Sequence, residues 1–148
     1  MVEEKQAIVF VRDEISELIL LVATEKGAFL YYSDSDRRYW DVNGPHFLGS
    51  IVHHLVLDHR DNKTLLASVQ SRQSGTTIYR SKDFGKTWNP ATKPPTFPQD
   101  KLKRIVDHIY YLTPGHDSEG KVWYAGTSPQ GLFRSEDGGD TWNSVAGF

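Results

Sequence analysis

The segments Ser81-Lys-Asp-Phe-Gly-Lys-Thr-Trp88 and Ser135-Glu-Asp-Gly-Gly-Asp-Thr-Trp142 share the pattern S-x-D-x-G-x-T-W. A degenerate copy, Ser33-Asp-Ser-Asp-Arg-Arg-Tyr-Trp40, keeps only the serine and the tryptophan. The pattern therefore ends on a tryptophan three times along the chain, at nearly even intervals. Such a recurrence, at roughly fifty positions per copy, indicates a repeated structural unit.

Short apolar segments precede each copy of the pattern, and turn residues separate them. Such segments predict β-strands, so each unit is expected to contain four short strands. The predicted units are all-β and cover about residues 5–44, 50–93 and 103–148. Their predicted inner strands are residues 7–11, Ile51–Leu57 and residues 105–112. A helix over residues 13–23 is the local alternative, because an aspartate precedes a run of helix formers.

The repeated pattern predicts a tight turn with a structural role. Serine and aspartate side chains bond nearby backbone groups, and glycine adopts the positive φ that other residues resist. Threonine then begins an extended strand, and the tryptophan folds back with its indole N–H near a backbone carbonyl. A calcium loop at Asp137–Asp140 is the alternative, but a full set of spaced oxygen ligands is missing. The structural residues are therefore predicted to be Ser81, Asp83, Gly85, Thr87, Trp88, Ser135, Asp137, Gly139, Thr141 and Trp142.

Composition excludes several classes of protein. The 148 residues suit a single domain, and a net charge of −2 argues against nucleic-acid binding. The absence of cysteine excludes disulfides and thiolate metal sites. No apolar run approaches the roughly 18 residues that span a membrane, and the first residues do not resemble a secretory signal. We therefore expect a cytoplasmic protein without a metal, a cofactor or a membrane partner.

The motif resembles the Asp-box, or BNR repeat, of β-propellers such as sialidases and sortilin-type receptors. The resemblance extends to the amino-terminal half of bacterial BNR-repeat proteins that are described as glycosyl hydrolase-like or sialidase-like. It is carried by residues 23–30, 43–49, 56–60 and 124–135. This resemblance implies a β-propeller segment of three four-stranded blades, with residues 1–13 supplying the first inner strand.

Three blades do not close a ring, because propellers contain four to eight. Two copies related by a two-fold axis would supply six blades. We therefore expect a homodimer that completes a six-bladed ring.

Family topology places the loops that join the second strand to the third, and the fourth strand to the next blade, on one face. This upper face would carry His46, Arg72 and Gln130. Matching residues 52–55 of one inner strand with residues 106–109 of the next aligns His54 with His108, and Gln6 takes the same place in the first unit. Such a ring of polar side chains near a channel suits ligand binding or acid–base chemistry, although solvated histidines are the alternative. The predicted ligand-binding residues are His46, His54, Arg72, His108 and Gln130.

A non-catalytic binding or interaction module is the favoured function, with a carbohydrate or small-molecule ligand. The alternative is a sialidase-like glycoside hydrolase whose site is completed by oligomerisation, and a truncated gene product is a third. The Phe/Tyr-Arg-Ile-Pro stretch typical of sialidases is absent. Arginines next to the motifs lie on the wrong face for a shared site. Carboxylates for glycoside hydrolysis exist, but no spacing selects two of them as a pair: Glu25, Asp58, Asp100 and Asp107.

Overall fold

The computed structural model describes residues 18–99 and 102–147, and this part of the chain contains β-strands and no α-helix. It therefore holds no helix that could cross a membrane. The strands are β1 (Leu18–Thr24), β2 (Gly27–Ser33), β3 (Trp40–His46), β4 (Ile51–Leu57), β5 (Leu65–Ser71), β6 (Gly75–Ser81), β7 (Asn89–Pro90), β8 (His108–Pro114), β9 (Trp123–Ser128), β10 (Gly131–Ser135) and β11 (Asn143–Ser144).

The strands form three successive antiparallel sheets, in which each strand pairs with its neighbour along the chain. The first sheet is β1-β2-β3, the second β4-β5-β6-β7 and the third β8-β9-β10-β11. The predicted all-β class is confirmed. The helical alternative is wrong over residues 18–23, which lie in β1 and pair along their whole length with β2. Residues 1–13, predicted to supply the first inner strand, lie outside the described part.

The core consists of two apolar layers, one on each side of the second sheet. Leu65 and Ala67 of β5 pack against the first sheet, whereas Leu66 packs against the third. Because successive side chains of a strand point to opposite faces, a central sheet needs apolar residues at every position. The first five residues of β5 are accordingly all buried, and Ser68, the polar one among them, donates its hydroxyl to the Ile109 carbonyl over 2.6 Å.

The second and third copies of the motif form the predicted turns, here called motif turn 2 (residues 81–88) and motif turn 3 (residues 135–142). In motif turn 2 the Gly85 N–H donates to Ser81 Oγ over 2.7 Å, and Gly85 has a φ of +81°. In motif turn 3 the Gly139 N–H donates to Ser135 Oγ over 2.9 Å, with a φ of +87°. The same hydrogen bond therefore closes both turns at a backbone conformation that favours glycine.

Each motif aspartate accepts hydrogen bonds from the threonine four residues later. The hydroxyl and N–H of Thr87 donate to the two carboxylate oxygens of Asp83 over 2.5 and 2.8 Å, and they lower the pKa of Asp83 to about 2. Burial raises the pKa of Asp137, but hydrogen bonds from Thr141 and Ser135 outweigh it and lower the value to about 2. Hydrogen bonds to the ionised form thus hold both turns together.

These depressed pKa values predict how the fold responds to acid. Because the folded pKa lies below the unfolded value of 3.8, ionised Asp137 stabilises the fold above about pH 4. That contribution is lost as the pH falls from about 4 toward 2. Thr141→Val removes one donor, so we expect the free energy of unfolding at pH 7 to fall by about 1 kcal/mol. In circular dichroism titrations, acid unfolding should begin at a higher pH in this variant than in Thr92→Val, an exposed control. Identical titration curves for the two variants would contradict this role.

A buried ion pair joins the loops that follow β4 and β8. The Arg60 guanidinium donates to both carboxylate oxygens of Asp58 over 2.8 Å, and hydrogen bonds to Asp58 raise the pKa of Arg60. Arg60 Nη1 also donates to the carbonyl oxygens of Glu119 and Val122, over 2.7 and 3.1 Å. The pair therefore ties the second sheet to the third.

Candidate functional site

Two β-bulges position the polar side chains between the second and third sheets. The pairing register shifts at His53 between Val52 and His54, and again at Tyr110 between Ile109 and Tyr111. A bulge inserts one extra residue into a strand and redirects its side chain. Both bulges lie near the beginning of an inner strand, and β4 packs against β8.

The inner cluster, as we call it, consists of five side chains: His53, Gln70, Asp107, His108 and Tyr110. The rings of His53 and His108 meet edge to face, with centroids 4.6 Å apart. His53 Nε2 lies 2.9 Å from Gln70 Oε1, and Gln70 Nε2 donates to Asp107 Oδ1 over 3.4 Å. His108 Nδ1 lies 2.5 Å from Asp107 Oδ2, an ion-pair distance at which the atoms are not aligned for a hydrogen bond. These contacts form one polar network across β4, β5 and β8.

Exposed tyrosine rings lie beside this network. Tyr110 is 56% exposed and stacks on His108 with an angle of 3° between the rings and 5.4 Å between their centroids. Tyr111 is 59% exposed and stacks on His54 at 4.9 Å. The inner strands therefore present two aromatic faces to solvent next to hydrogen-bonding side chains, the combination with which binding sites orient a ligand.

His54 itself has a structural role. Its Nδ1 accepts a hydrogen bond from the Leu112 N–H over 2.9 Å, which requires that nitrogen to be unprotonated. Burial lowers the pKa of His54. The neutral ring thus joins β4 to β8 while its face packs on Tyr111.

The predicted alignment of His54 with His108 differs from the observed register. His54 pairs with Ser68 in the second sheet, and the corresponding pair in the third sheet is Tyr111 with Gly126. The inner strands therefore match His54 with Tyr111, because β8 begins at His108 and not at residue 105. His108 contacts His53 instead. Gln6, the third member of the predicted ring, lies outside the described residues.

The other predicted binding residues make none of the contacts described above for the inner cluster. Arg72 is exposed in the β5–β6 turn, and Gln130 is exposed in the β9–β10 turn. His46 ends β3, where its Nδ1 accepts a hydrogen bond from the Trp88 indole over 3.2 Å. This contact replaces the backbone carbonyl expected for Trp88, whereas the Trp142 indole does donate to the Gly139 carbonyl, over 3.0 Å.

Of the four candidate carboxylates, Asp107 is the one that the structure places in the inner cluster. Asp58 is buried in its pair with Arg60, and Glu25 is exposed in the β1–β2 turn. Asp100 lies outside the described residues. In the part of the chain that is described, no three histidine, aspartate or glutamate residues are placed to hold a metal ion.

A separate cavity of about 300 Å³ lies at the outer strands of the third sheet. Its charged lining residue is Arg104, whose guanidinium lies 4.4 Å from the centre of the Phe97 ring. Strands β10 and β11 contribute Leu132, Phe133 and Ser144 to its wall. The cavity contains none of the inner-cluster residues, so it is not part of the site described above.

The described strands define an all-β protein built from successive antiparallel sheets. No family model matches the sequence. The chain is 33% identical over 111 residues to a xyloglucanase from Paenibacillus sp., covering 66% of this chain and 10% of that enzyme. It is 31% identical over 115 residues to the xyloglucanase Xgh74A of Acetivibrio thermocellus, covering 66% of this chain and 13% of the enzyme.

The fold comparison leads to the same group of proteins. The GH74 xyloglucanase from Xanthomonas campestris matches with a TM-score of 0.58 at 18% sequence identity, covering 79% of this chain and 19% of that structure. The chain is therefore a distant homologue of GH74 xyloglucanases, which are β-propeller glycoside hydrolases. It spans about a tenth of the length of the curated relatives it matches.

Proposed function

We propose that this chain forms blades of a glycoside-hydrolase-type β-propeller and binds a polysaccharide at the inner cluster. The observation that carries the proposal is the exposed ring of Tyr110, which stacks on the half-buried His108 beside the Asp107 carboxylate. A flat aromatic face suits the apolar face of a sugar ring, and the imidazole, amide and carboxylate groups suit its hydroxyls. The similarity to xyloglucanases supports a β-glucan with sugar side chains as the ligand.

The arrangement of carboxylates supports a role in binding for the described residues. It gives less support to a complete hydrolytic site among them. Most glycosidases use two carboxyl groups, about 5–5.5 Å apart in retaining enzymes and about 6.5–9.5 Å apart in inverting enzymes. Among the candidate carboxylates that are described, Asp107 is the one at the inner cluster, and Asp58 is committed to Arg60. If the full protein hydrolyses glycosidic bonds, a second carboxyl at the inner cluster would therefore come from outside the candidates that the structure describes.

The motif turns support a finer assignment to the Asp-box repeats. In motif turns 2 and 3 alike, the glycine N–H donates to the serine hydroxyl and the threonine hydroxyl donates to the aspartate carboxylate. Each turn follows the third strand of its unit, as the repeat requires. In the first sheet Ser33 instead donates to the Tyr39 carbonyl over 2.7 Å, which accords with a degenerate copy of the repeat. The predicted six-bladed homodimer stays a prediction.

Soluble xyloglucan tests the binding proposal, with dextran as the control polysaccharide. We expect Tyr110→Ala to weaken xyloglucan binding about tenfold in isothermal titration calorimetry, equivalent to about 1.4 kcal/mol. Tyr39→Ala is the matched control, because Tyr39 is 77% exposed in the degenerate motif of the first sheet. Equal affinities of the two variants for xyloglucan would contradict a sugar site at the inner cluster. Equal binding of dextran and xyloglucan would contradict a β-glucan as the preferred ligand.

Hydrolysis of xyloglucan is tested separately, by measuring the release of reducing ends. The chain alone should bind xyloglucan without releasing reducing ends, because the described residues place a single candidate carboxylate at the cluster. Release of reducing ends that Asp107→Asn abolishes, with binding unchanged, would instead show a complete hydrolase.

A further inference from the structure

The third sheet has an outer face that is equivalent to the face of the second sheet on which the third sheet packs. In the second sheet Leu66 pairs with Arg80 across β5 and β6. In the third sheet Tyr124 pairs with Arg134 at the corresponding place across β9 and β10. Each arginine directly precedes the serine of its motif, so the two positions are equivalent.

The second sheet uses this face to hold motif turn 3. Arg80 Nη2 donates to Asp140 Oδ1 over 2.7 Å, and the two side chains are 13% and 31% exposed. A Cβ on Gly139 would lie 2.8 Å from Leu66 Cδ2 and 3.3 Å from Arg80 Cδ. Motif turn 3 therefore packs its glycine on the preceding sheet and presents a carboxylate to the arginine there.

The contact between the first and second sheets follows the same geometry with different charges. A Cβ on Gly85 would lie 3.1 Å from Leu30 Cδ2, so motif turn 2 also packs on the sheet before it. Tyr32, which precedes the serine of its motif, stands where the second sheet has Arg80. Motif turn 2 correspondingly carries Lys86 at the position of Asp140. In this chain a carboxylate occurs where the preceding sheet has arginine, and not where it has tyrosine.

The third sheet has the arginine without a following sheet in the described residues. Ala125 and Phe133 pack in the core between the second and third sheets, so the alternation along β9 and β10 directs Tyr124, Leu132 and Arg134 to the opposite face. Within its own sheet Arg134 pairs with Glu136 and lies 3.8 Å from Glu119.

We propose that the face formed by Tyr124, Leu132 and Arg134 docks a further propeller blade whose motif turn presents a carboxylate to Arg134. The half-buried Tyr124 and Leu132 would pack against the glycine of that turn, as Leu66 packs against Gly139. The partner is thus a four-stranded blade with aspartate or glutamate five residues after its motif serine.

The chain's own first sheet does not meet this requirement. Five residues after Ser33 the degenerate motif has Arg38, whose exposed side chain lies 3.5 Å from Asp36. In the predicted homodimer Arg38 of one copy would stand opposite Arg134 of the other, and like charges at such a contact are destabilising. The blade that completes this contact therefore has a sequence other than that of the first sheet.

A charge reversal tests the proposal with the chain itself as the probe. Arg37→Gly together with Arg38→Asp gives the degenerate motif the glycine and the carboxylate that motif turn 3 has at these positions. Sedimentation equilibrium should therefore show at least tenfold tighter self-association than for the unaltered chain. Adding Arg134→Ala to this variant should abolish the gain. Raising the salt concentration from about 0.1 to about 1 M should reduce the gain, because salt screens exposed ion pairs.

Arg37→Gly together with Arg38→Gln is the matched control, since it supplies the same glycine without the carboxylate. Arg37 has a φ of 56°, a left-handed backbone conformation that glycine adopts readily. The glycine-and-aspartate variant associating no more tightly than the glycine-and-glutamine control would overturn the proposal. So would a tight dimer of the unaltered chain that Arg134→Ala leaves unchanged, because Arg134 would then have no part in the docking. Thermal melts of each variant confirm that the compared proteins are folded.

Discussion

Trp142→Ala should lower the free energy of unfolding by about 3–5 kcal/mol. The Trp142 side chain is 1% exposed, lies in the core between the second and third sheets, and donates its indole N–H to Gly139. Its removal leaves a cavity and an unpaired buried carbonyl group. Urea denaturation followed by circular dichroism measures the change.

Two other tryptophans calibrate this effect. Trp40 ends the degenerate motif and is 42% exposed, so Trp40→Ala should cost less than about 1 kcal/mol. Trp88 is partly buried against Phe47 and His46, so its replacement should have an intermediate effect. Equal losses for Trp142→Ala and Trp40→Ala would mean that the motif turns do not hold the sheets together.

Arg60→Ala should destabilise the fold by about 3–5 kcal/mol, because it leaves the Asp58 carboxylate buried without its cation. It also removes the hydrogen bonds to the Glu119 and Val122 carbonyls that join the second and third sheets. The control is Arg38→Ala, which breaks an exposed pair and should change the stability by less than about 0.5 kcal/mol.

The double variant Asp58→Ala with Arg60→Ala separates the cost of the unpaired Asp58 charge from the loss of the Arg60 hydrogen bonds to the two carbonyls. Because it removes the unpaired charge along with its partner, its loss of stability should be smaller than the sum of the two single losses. Simple additivity in urea titrations would show that the ion pair does not couple the two residues.

The candidate site illustrates why a local pattern predicts contacts incompletely. The sequence has two adjacent histidines, His53 and His54, within an apolar strand, and the pattern singled out His54 alone. The two histidines differ in role, because a bulge at His53 turns that ring toward His108 while His54 binds the Leu112 N–H. The similarity of residues 52–55 to residues 106–109 favoured matching His54 with His108, whereas hydrogen bonding with β5 and β9 matches His54 with Tyr111.

The sequence by itself determined the all-β class, the repeat and the structural role of the motif turns. These properties depend on interactions between residues a few positions apart, such as the hydrogen bond from Gly85 to Ser81. Interactions of such short range can be predicted from the order of residues alone. The tertiary structure decided the strand register, the membership of the inner cluster and the pairing of Arg80 with Asp140. Gln70 and His108 are distant along the chain, and they belong to one network because β5 packs against β8. Contacts of that kind depend on how sheets stack, and no short segment encodes that packing.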